Sequence, residues 1–159
     1  MQQLLDRAAA IAVLLKARGQ TVAVAESATG GLVSAALLSV AGASAYFLGG
    51  GVVYTRQARR VLLEIPDSAL VGMRAASEPY ARLVAQAARR RFAADWALAE
   101  SGAAGPAGNR YGDPAGHSCI AVAGPVERAA TIETGADDRV ANMRAFAAAA
   151  LDLLLASLG

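Results

Sequence analysis

The stretch Glu26-Ser27-Ala28-Thr29-Gly30-Gly31 decides the fold, because it places small polar residues and two glycines between a strand and a helix. The preceding run, residues 21–25, is short, apolar and partly β-branched, which predicts a buried strand. The following run, residues 32–38, is apolar and long enough for a helix, with Thr29 or Ser27 as its N-cap. The helix start leaves backbone N–H groups that can hold a phosphate, a carboxylate or an oxyanion. A capped strand-to-helix junction without a ligand is the alternative.

The composition bounds the class of protein. With 159 residues the chain is long enough to bury a sizeable core, and we expect one domain over residues 1–159. Hydrophobic residues make up 55% of the chain and few are aromatic, which is typical of helices packed on a sheet. A single cysteine excludes an internal disulfide, and one cysteine with one histidine does not supply a zinc site. We therefore expect no metal and no cofactor.

Charge and hydropathy argue against nucleic acid and membranes as partners. The net charge is +2, and the sequence has no basic face with interleaved aromatic residues, so we expect no nucleic acid partner. The N-terminus lacks the pattern of a signal peptide. The apolar tail, residues 145–158, is expected to be too short to span a bilayer, and it carries Asp152. These features predict a soluble, cytoplasmic protein with no membrane partner.

The pattern of the remaining chain predicts alternating helices and strands. Apolar residues at helical spacing predict helices that begin near residues 4, 32, 56, 77 and 137. Short apolar runs predict strands at residues 21–25, 45–54, 95–99, 119–123 and 129–134, and residues 102–116 form a Gly- and Pro-rich loop. This order predicts an α/β fold, a three-layer α/β/α sandwich on a mostly parallel sheet with one antiparallel strand. Ligands bind at the carboxyl ends of strands in such sheets, where Ser27 and Ser101 are expected.

Four segments, taken in order, resemble the C-terminal domain of the CinA proteins, also known as stand-alone nicotinamide-nucleotide amidases. They are residues 25–31, 47–59, 77–78 and 101–106, and the similarity extends from the first helix to the last. The resemblance implies a metal-independent serine amidohydrolase that converts nicotinamide mononucleotide to the nicotinic acid nucleotide and ammonia. It also implies a mixed five-stranded sheet, a small-molecule nucleotide substrate and a homodimer.

The resemblance assigns roles to individual residues. Ser27 matches the serine of the family's E-S-C-T-G-G turn, the expected nucleophile, and Ala28 replaces the cysteine of that turn. Tyr54 matches the tyrosine of a Y-S-N-x-x-K segment, but Arg59 stands where that segment has lysine. The catalytic residues expected on this basis are Ser27, Tyr54, Arg59 and Ser101. The expected substrate-binding residues are Glu26, Thr29, Gly30, Gly31, Gly102, Gly105 and Arg110.

Other segments depart from the family pattern. Met73-Arg74 replaces a His-Gly pair, and Asp113 and His117 stand at the ends of the segment where K-P-V-G-T is usual. Residues 135–141 align with a G-D-R-D-x-V-R motif, and both of its arginines are missing from register. A backbone nest in the loop after Ser101 is expected to bind phosphate, with plain turn-making glycines as the alternative.

The chemistry of Arg59 leaves the general base open. A serine hydroxyl needs a base, and arginine cannot take a proton, although it can bind phosphate or an oxyanion. The candidates are Tyr54, Glu26, His117 and water. The leading hypothesis is an active amidohydrolase, and the alternative is a degenerate family member that binds a nucleotide or small anion without turnover. A third hypothesis is a dimerising domain that serves a partner protein.

Overall fold

The computed structural model describes residues 1–159, which form five α-helices and five strands. Two short 3₁₀ helices, Ala43–Ala45 and Asp67–Leu70, lie between them. The helices are α1 (Gln2–Arg18), α2 (Leu32–Leu38), α3 (Arg56–Leu63), α4 (Glu78–Phe92) and α5 (Arg139–Leu158). The strands are β1 (Val22–Glu26), β2 (Phe47–Val52), β3 (Trp96–Ala103), β4 (His117–Ala123) and β5 (Arg128–Glu133).

The five strands form one mixed sheet in the order β2-β1-β3-β4-β5. Strand β1 pairs parallel with β2 and β3, whereas β4 pairs antiparallel with β3 and β5. Strand β4 is therefore the one strand that runs against the other four. The prediction of one antiparallel strand is confirmed, and because β4 lies between β3 and β5, two of the four pairings are antiparallel. The reason is that no helix separates β3, β4 and β5, and strands joined without a crossover pair antiparallel.

Helices cover both faces of the sheet. One core contains side chains of α1, α2 and α5 together with Val24 and Leu98 from the strands. The other contains side chains of α3 and α4 together with Ala25 and Ala99. Neighbouring residues of a strand point to opposite faces, so each central strand supplies both cores. The alanines on the second face let α4 lie close to β3 and β4.

Helix α5 is longer than the apolar tail that the sequence analysis considered. It has 20 residues and is, by length and composition alone, long and apolar enough to cross a membrane, whereas the tail 145–158 is only its C-terminal part. Phe146, Leu151 and Leu154 of this helix are buried, and the helix packs against α1 and β4. In this fold α5 is a core helix.

Strand β3 continues beyond the predicted end, and this places two site residues within the sheet. Ser101 pairs with Cys119 and Gly102 pairs with Ser118. A Cβ on Gly102 would lie 2.6 Å from the His117 carbonyl oxygen, so this close pairing requires glycine. The predicted loop is shortened to residues 104–116.

Candidate functional site

The Glu26 carboxylate organises the turn that joins β1 to α2. Its side chain is buried and accepts hydrogen bonds from the backbone N–H groups of Gly31 (3.1 Å), Val33 (3.0 Å) and Ser34 (2.8 Å). The N-cap of α2 is Gly31 and makes no side-chain cap hydrogen bond, so the prediction of Thr29 or Ser27 as N-cap is wrong. A carboxylate at the end of the preceding strand reaches three N–H groups, and its charge suits the positive end of the helix dipole.

A second buried carboxylate, Glu100 of β3, holds the same turn from the neighbouring strand. It accepts from the backbone N–H groups of Ser27 (3.2 Å) and Thr29 (3.0 Å) and from the Ser118 hydroxyl (2.8 Å). Burial raises the pKa of Glu100 by more than these hydrogen bonds lower it. The sequence analysis missed this residue, although a glutamate directly after the apolar run 96–99 is a usable signal.

The Thr29 hydroxyl lies between the two carboxylates. Its oxygen is 2.8 Å from Glu26 Oε2 and 3.1 Å from Glu100 Oε2, and Thr29 is fully buried. A hydroxyl has one proton, so it can donate to only one of the two carboxylates at a time. Because Glu26 and Thr29 are buried and bonded within the protein, they shape the turn and offer no group to a ligand.

Two hydrogen-bond donors of the turn have no acceptor within the protein, the Ser27 hydroxyl and the Ala28 N–H. The N–H of Gly30 donates to the Ser27 carbonyl oxygen (3.1 Å), and that of Gly31 donates to Glu26. The N–H groups of the two glycines are therefore not available to an oxyanion. Ser27 is half-buried, so its hydroxyl is neither sealed in the core nor bonded to it.

A cavity of about 170 Å³ adjoins Ala28 at this end of the sheet. Ala28 forms part of its wall and Ser27 directly precedes that wall. The N–H groups of four lining residues of the loop donate to no protein acceptor; these residues are Ala104, Gly105, Ala107 and Gly108. Gly105 has a φ of +109°, and a Cβ there would lie 2.6 Å from the Asp137 carbonyl oxygen. The loop thus lines the cavity with unpaired hydrogen-bond donors.

Arg139 and Tyr54 close the opposite side of this cavity. The Arg139 guanidinium donates to the Gly105 carbonyl oxygen (2.6 Å) and to the Tyr54 hydroxyl oxygen (3.3 Å). The Tyr54 hydroxyl accepts this bond, so its own proton remains available. The sequence analysis missed Arg139 because it aligned residues 135–141 without a gap; a shifted register of that motif could have found it.

Arg59 and Arg110 lie in a second, larger cavity on the other side of Tyr54. Its volume is about 590 Å³, and its charged lining residues are Arg56, Arg59, Arg110 and Asp67. Arg59 is buried and forms an ion pair with Asp67, and its Nε has no hydrogen-bond partner. Three arginines against one aspartate give this cavity a positive charge. Arg59 and Arg110 therefore share one cavity, whereas the residues around Ala28 line another.

Ser101 faces the α4 side of the sheet at the same end as Ser27. The β1–β3 pairing aligns Ala25 with Ala99, so Ser27 and Ser101 each lie two residues beyond that pair. Ser101 is buried, and its hydroxyl oxygen accepts a hydrogen bond from the Ala76 N–H at 3.1 Å. Its proton remains available to donate.

The structure removes two of the candidate bases. His117 Nδ1 lies 2.6 Å from a Glu133 carboxylate oxygen and Nε2 lies 2.8 Å from the Ala76 carbonyl oxygen. Burial lowers the pKa of His117, but the hydrogen bonds to Glu133 and Ala76 outweigh it, and the net shift is upward. Both ring nitrogens face acceptors and carry protons, so His117 takes none from Ser27. The Glu26 carboxylate already accepts hydrogen bonds from Thr29, Gly31, Val33 and Ser34, so it is not free to take a proton from Ser27.

The lysine missing from position 59 is not replaced by another lysine. Lys16 is the only lysine of the chain, and its Nζ donates to the Ala41 carbonyl oxygen at 2.7 Å. Of the four candidates for the base, Tyr54 and water remain.

Comparison with known proteins identifies the family. The model of the CinA C-terminal domain matches residues 5–158. A CinA-like protein of Prochlorococcus marinus is 49% identical over 112 residues, which cover 70% of this chain and 26% of that protein. One of Gloeobacter violaceus is 43% identical over 149 residues, which cover 92% of this chain and 35% of that protein. The chain thus spans about a quarter to a third of the length of these relatives.

Solved structures agree with this result. A CinA superfamily protein of Klebsiella pneumoniae superposes with a TM-score of 0.90 at 29% identity, covering 98% of this chain and 97% of the other. The competence/damage-inducible protein of Agrobacterium tumefaciens superposes with a TM-score of 0.89 at 31% identity, covering 97% and 94%. The chain belongs to the CinA C-terminal domain family.

Proposed function

We propose that this chain hydrolyses the carboxamide of nicotinamide mononucleotide, giving nicotinic acid mononucleotide and ammonia, with Ser27 as the nucleophile. The observation that carries the proposal is the pair of unpartnered donors in a turn whose other hydrogen-bond donors are all bonded within the protein. Ala28 lines the cavity of about 170 Å³ and Ser27 directly precedes it, in a turn that two buried carboxylates hold in place. A nucleophile beside a preorganised N–H donor is the arrangement that acyl transfer requires.

The proposed reaction has two steps. Ser27 Oγ attacks the carboxamide carbon, its proton passes to the base, and the carbonyl electrons move to an oxyanion that accepts from the Ala28 N–H. The oxyanion collapses, the C–N bond breaks, and the nitrogen takes the proton that the base received from Ser27 and leaves as ammonia. A water molecule then attacks the ester carbon, which releases the carboxylic acid and restores the Ser27 hydroxyl. Water serves as the base, either directly or through Tyr54, whose hydroxyl accepts the Ser27 proton as it donates its own to water.

The two cavities suggest how the substrate lies. The carboxamide occupies the smaller cavity, where Tyr54 and the unpaired N–H groups of four loop residues supply donors; these residues are Ala104, Gly105, Ala107 and Gly108. The phosphate occupies the larger cavity on the other side of Tyr54, where Arg110 and Arg56 supply charge. Arg59 is paired with Asp67 and adds positive charge to this cavity. It does not serve as a base, because an arginine side chain stays protonated.

Ammonia release tests the proposal. Purified wild-type protein is incubated with nicotinamide mononucleotide beside Ser27→Ala, and Ser157→Ala serves as the control because Ser157 lies on α5 and bonds to the Leu153 carbonyl oxygen. We expect release by the wild type and the control and none above background by Ser27→Ala. Equal release by all three proteins would exclude Ser27 as the nucleophile, and release by none would exclude the amidase.

A second candidate function is binding of the nucleotide without turnover. The ion pair of Arg59 with Asp67, together with Lys16 at a remote carbonyl, leaves no lysine to activate Ser27. Thermal stabilisation by the nucleotide without ammonia release would support this candidate. Arg59→Lys separates the two functions, because a gain in rate would indicate that only the base is missing.

We also propose that the active form is a cytoplasmic homodimer, on the strength of the resemblance to the family. Light scattering on the purified protein tests the dimer. A monomer at the concentration used for the activity assay would contradict it.

A further inference from the structure

His117 connects a loop, two strands and the segment before α4 through the backbone of one residue, Ala76. Its Nε2 donates to the Ala76 carbonyl oxygen (2.8 Å), and the N–H of the same residue donates to Ser101 Oγ (3.1 Å). Ala76 is buried and has a φ of +53°, a left-handed conformation that costs energy for a residue with a Cβ. Such a conformation persists only where its surroundings hold it, and His117 and Ser101 hold Ala76 from both sides.

The charged groups around His117 keep both of its ring nitrogens protonated. Glu133 of β5 accepts from Nδ1 at 2.6 Å, and an Asp113 carboxylate oxygen lies 3.6 Å from Nε2. Asp113 is bound in turn by the Arg74 guanidinium. The other titratable groups nearby are Cys119, whose Sγ lies 3.7 Å from Nε2, and Glu78, which accepts from Thr131. Two carboxylates thus face the imidazole directly.

Residues 73–76, which His117 and Ser101 hold in place at Ala76, border the larger cavity. Met73 and Ala75, which flank Arg74, line the cavity that also contains Arg59 and Arg110. Three positions at which the sequence departs from the family pattern, Arg74, Asp113 and His117, contact one another here. The departures therefore form one structural unit.

We propose that His117 is a positioning residue. Through the backbone of Ala76 it fixes the Ser101 hydroxyl and the Met73–Ala76 wall of the larger cavity. Deprotonation of the imidazole leaves its one remaining proton on Nδ1, against the Glu133 carboxylate, so the Nε2 hydrogen bond to the Ala76 carbonyl is lost. The wall then loosens, and ligand affinity falls with rising pH. The part of this inference that concerns ligand affinity rests on the proposed function. The part that concerns the position of the Ala76 backbone does not rest on the proposed function.

Hydrogen exchange of the Ala76 amide in the ligand-free protein tests the structural part. We expect His117→Ala to raise its exchange rate about tenfold or more, the effect of losing one charge-assisted hydrogen bond. His117→Gln keeps a neutral N–H donor for the Ala76 carbonyl and restores protection. Thr131→Val is the matched control, since Thr131 contacts Cys119 and Glu78 but not Ala76. Unchanged protection in His117→Ala would overturn the proposal.

The pH profile supplies a readout that a purely structural role would not move. From about pH 6 to about pH 9, after correction for intrinsic exchange, protection of the Ala76 amide falls in the wild type and stays level in His117→Gln. The Glu133 side chain is half exposed, so Glu133→Gln leaves the core intact. Because it removes a negative charge beside the imidazole, this variant lowers the midpoint by about one pH unit. A level wild-type profile would contradict the proposal.

Calorimetric titration with nicotinamide mononucleotide over the same pH range tests the functional part. We expect the Kd to rise with pH in the wild type and to stay constant in His117→Gln. A pH-independent Kd in the wild type would overturn the link from His117 to the cavity. No binding at any pH would overturn the proposed function, while the exchange data would still decide the role of His117.

Discussion

Replacing Glu26 by glutamine is expected to destabilise the protein strongly, although the change is nearly isosteric. Glu26 Oε2 accepts from Thr29, Gly31 and Val33, and Oε1 accepts from the Ser34 N–H. A glutamine has one acceptor oxygen, so its NH₂ group must oppose a donor. With the oxygen at the three-donor position, the Ser34 N–H loses its partner.

The magnitude follows from these contacts. An orphaned N–H costs about 1–3 kcal/mol, and the three remaining bonds lose their charge assistance, while removal of a buried charge offsets part of the loss. We expect a decrease of about 3 kcal/mol in the free energy of unfolding. For a chain of this length that corresponds to about 6–12 °C in Tm.

Glu100→Gln is the informative comparison, because both carboxylates are buried in the same turn. Its second oxygen faces the Ser118 hydroxyl, which can reverse and accept from the new NH₂ group. We expect this variant to lie within about 1 kcal/mol of the wild type at neutral pH.

The pH dependence of Glu100→Gln follows from the sign of its pKa shift. The folded-state pKa of Glu100 is raised, so its contribution to stability is present below its ordinary pKa and is lost as pH rises through the folded-state value. Glu100→Gln should therefore gain on the wild type with rising pH.

Urea denaturation followed by circular dichroism measures these differences, with exposed Glu127→Gln as the control. Glu26→Gln as stable as the control would refute the account of the turn. So would equal losses for Glu26→Gln and Glu100→Gln.

Three further predictions address the rest of the site. Asp113→Asn should lower the free energy of unfolding by about 1 kcal/mol at neutral pH, because the Arg74 hydrogen bond lowers the pKa of Asp113. The contribution of Asp113 to stability is lost as pH falls through the folded-state pKa, so a difference from wild type that grows in acid would contradict this. Gly105→Ala should cost about 2 kcal/mol in urea denaturation, because of its φ of +109° and the Asp137 carbonyl oxygen, and a neutral effect would show that the loop adapts. Tyr54→Phe should slow ammonia release about tenfold or more without unfolding the protein, since the hydroxyl contacts only Arg139; an unchanged rate would leave water as the base.

Local sequence patterns predict the elements well, because their causes are local. Gly19 ends α1 in the left-handed conformation, and Ser77 caps α4 by accepting from the Tyr80 N–H. Strand β2, which contains three consecutive glycines, has a register shift next to them, because Val22 pairs with Phe47 and Ala23 with Gly49. In each case a residue within a few positions decides the conformation.

The site is less predictable because its contacts come from distant parts of the chain. Glu100 reaches the Ser27 turn across 73 residues, and Arg139 reaches Tyr54 across 85. Whether Glu26 or Thr29 accepts hydrogen bonds from the first N–H groups of α2 depends on where β1 ends in three dimensions. Neither the periodicity nor the spacing of the sequence contains that information.

Mass spectrometry of the acid-quenched reaction tests the central claim most directly, since the proposed intermediate is an ester on one hydroxyl. Wild-type protein is mixed with nicotinamide mononucleotide, quenched during turnover and digested with trypsin. The account predicts an acyl adduct on the peptide of residues 19–56, with fragmentation placing it on Ser27. Ammonia release with Ser27 unmodified and the adduct on another residue would contradict it.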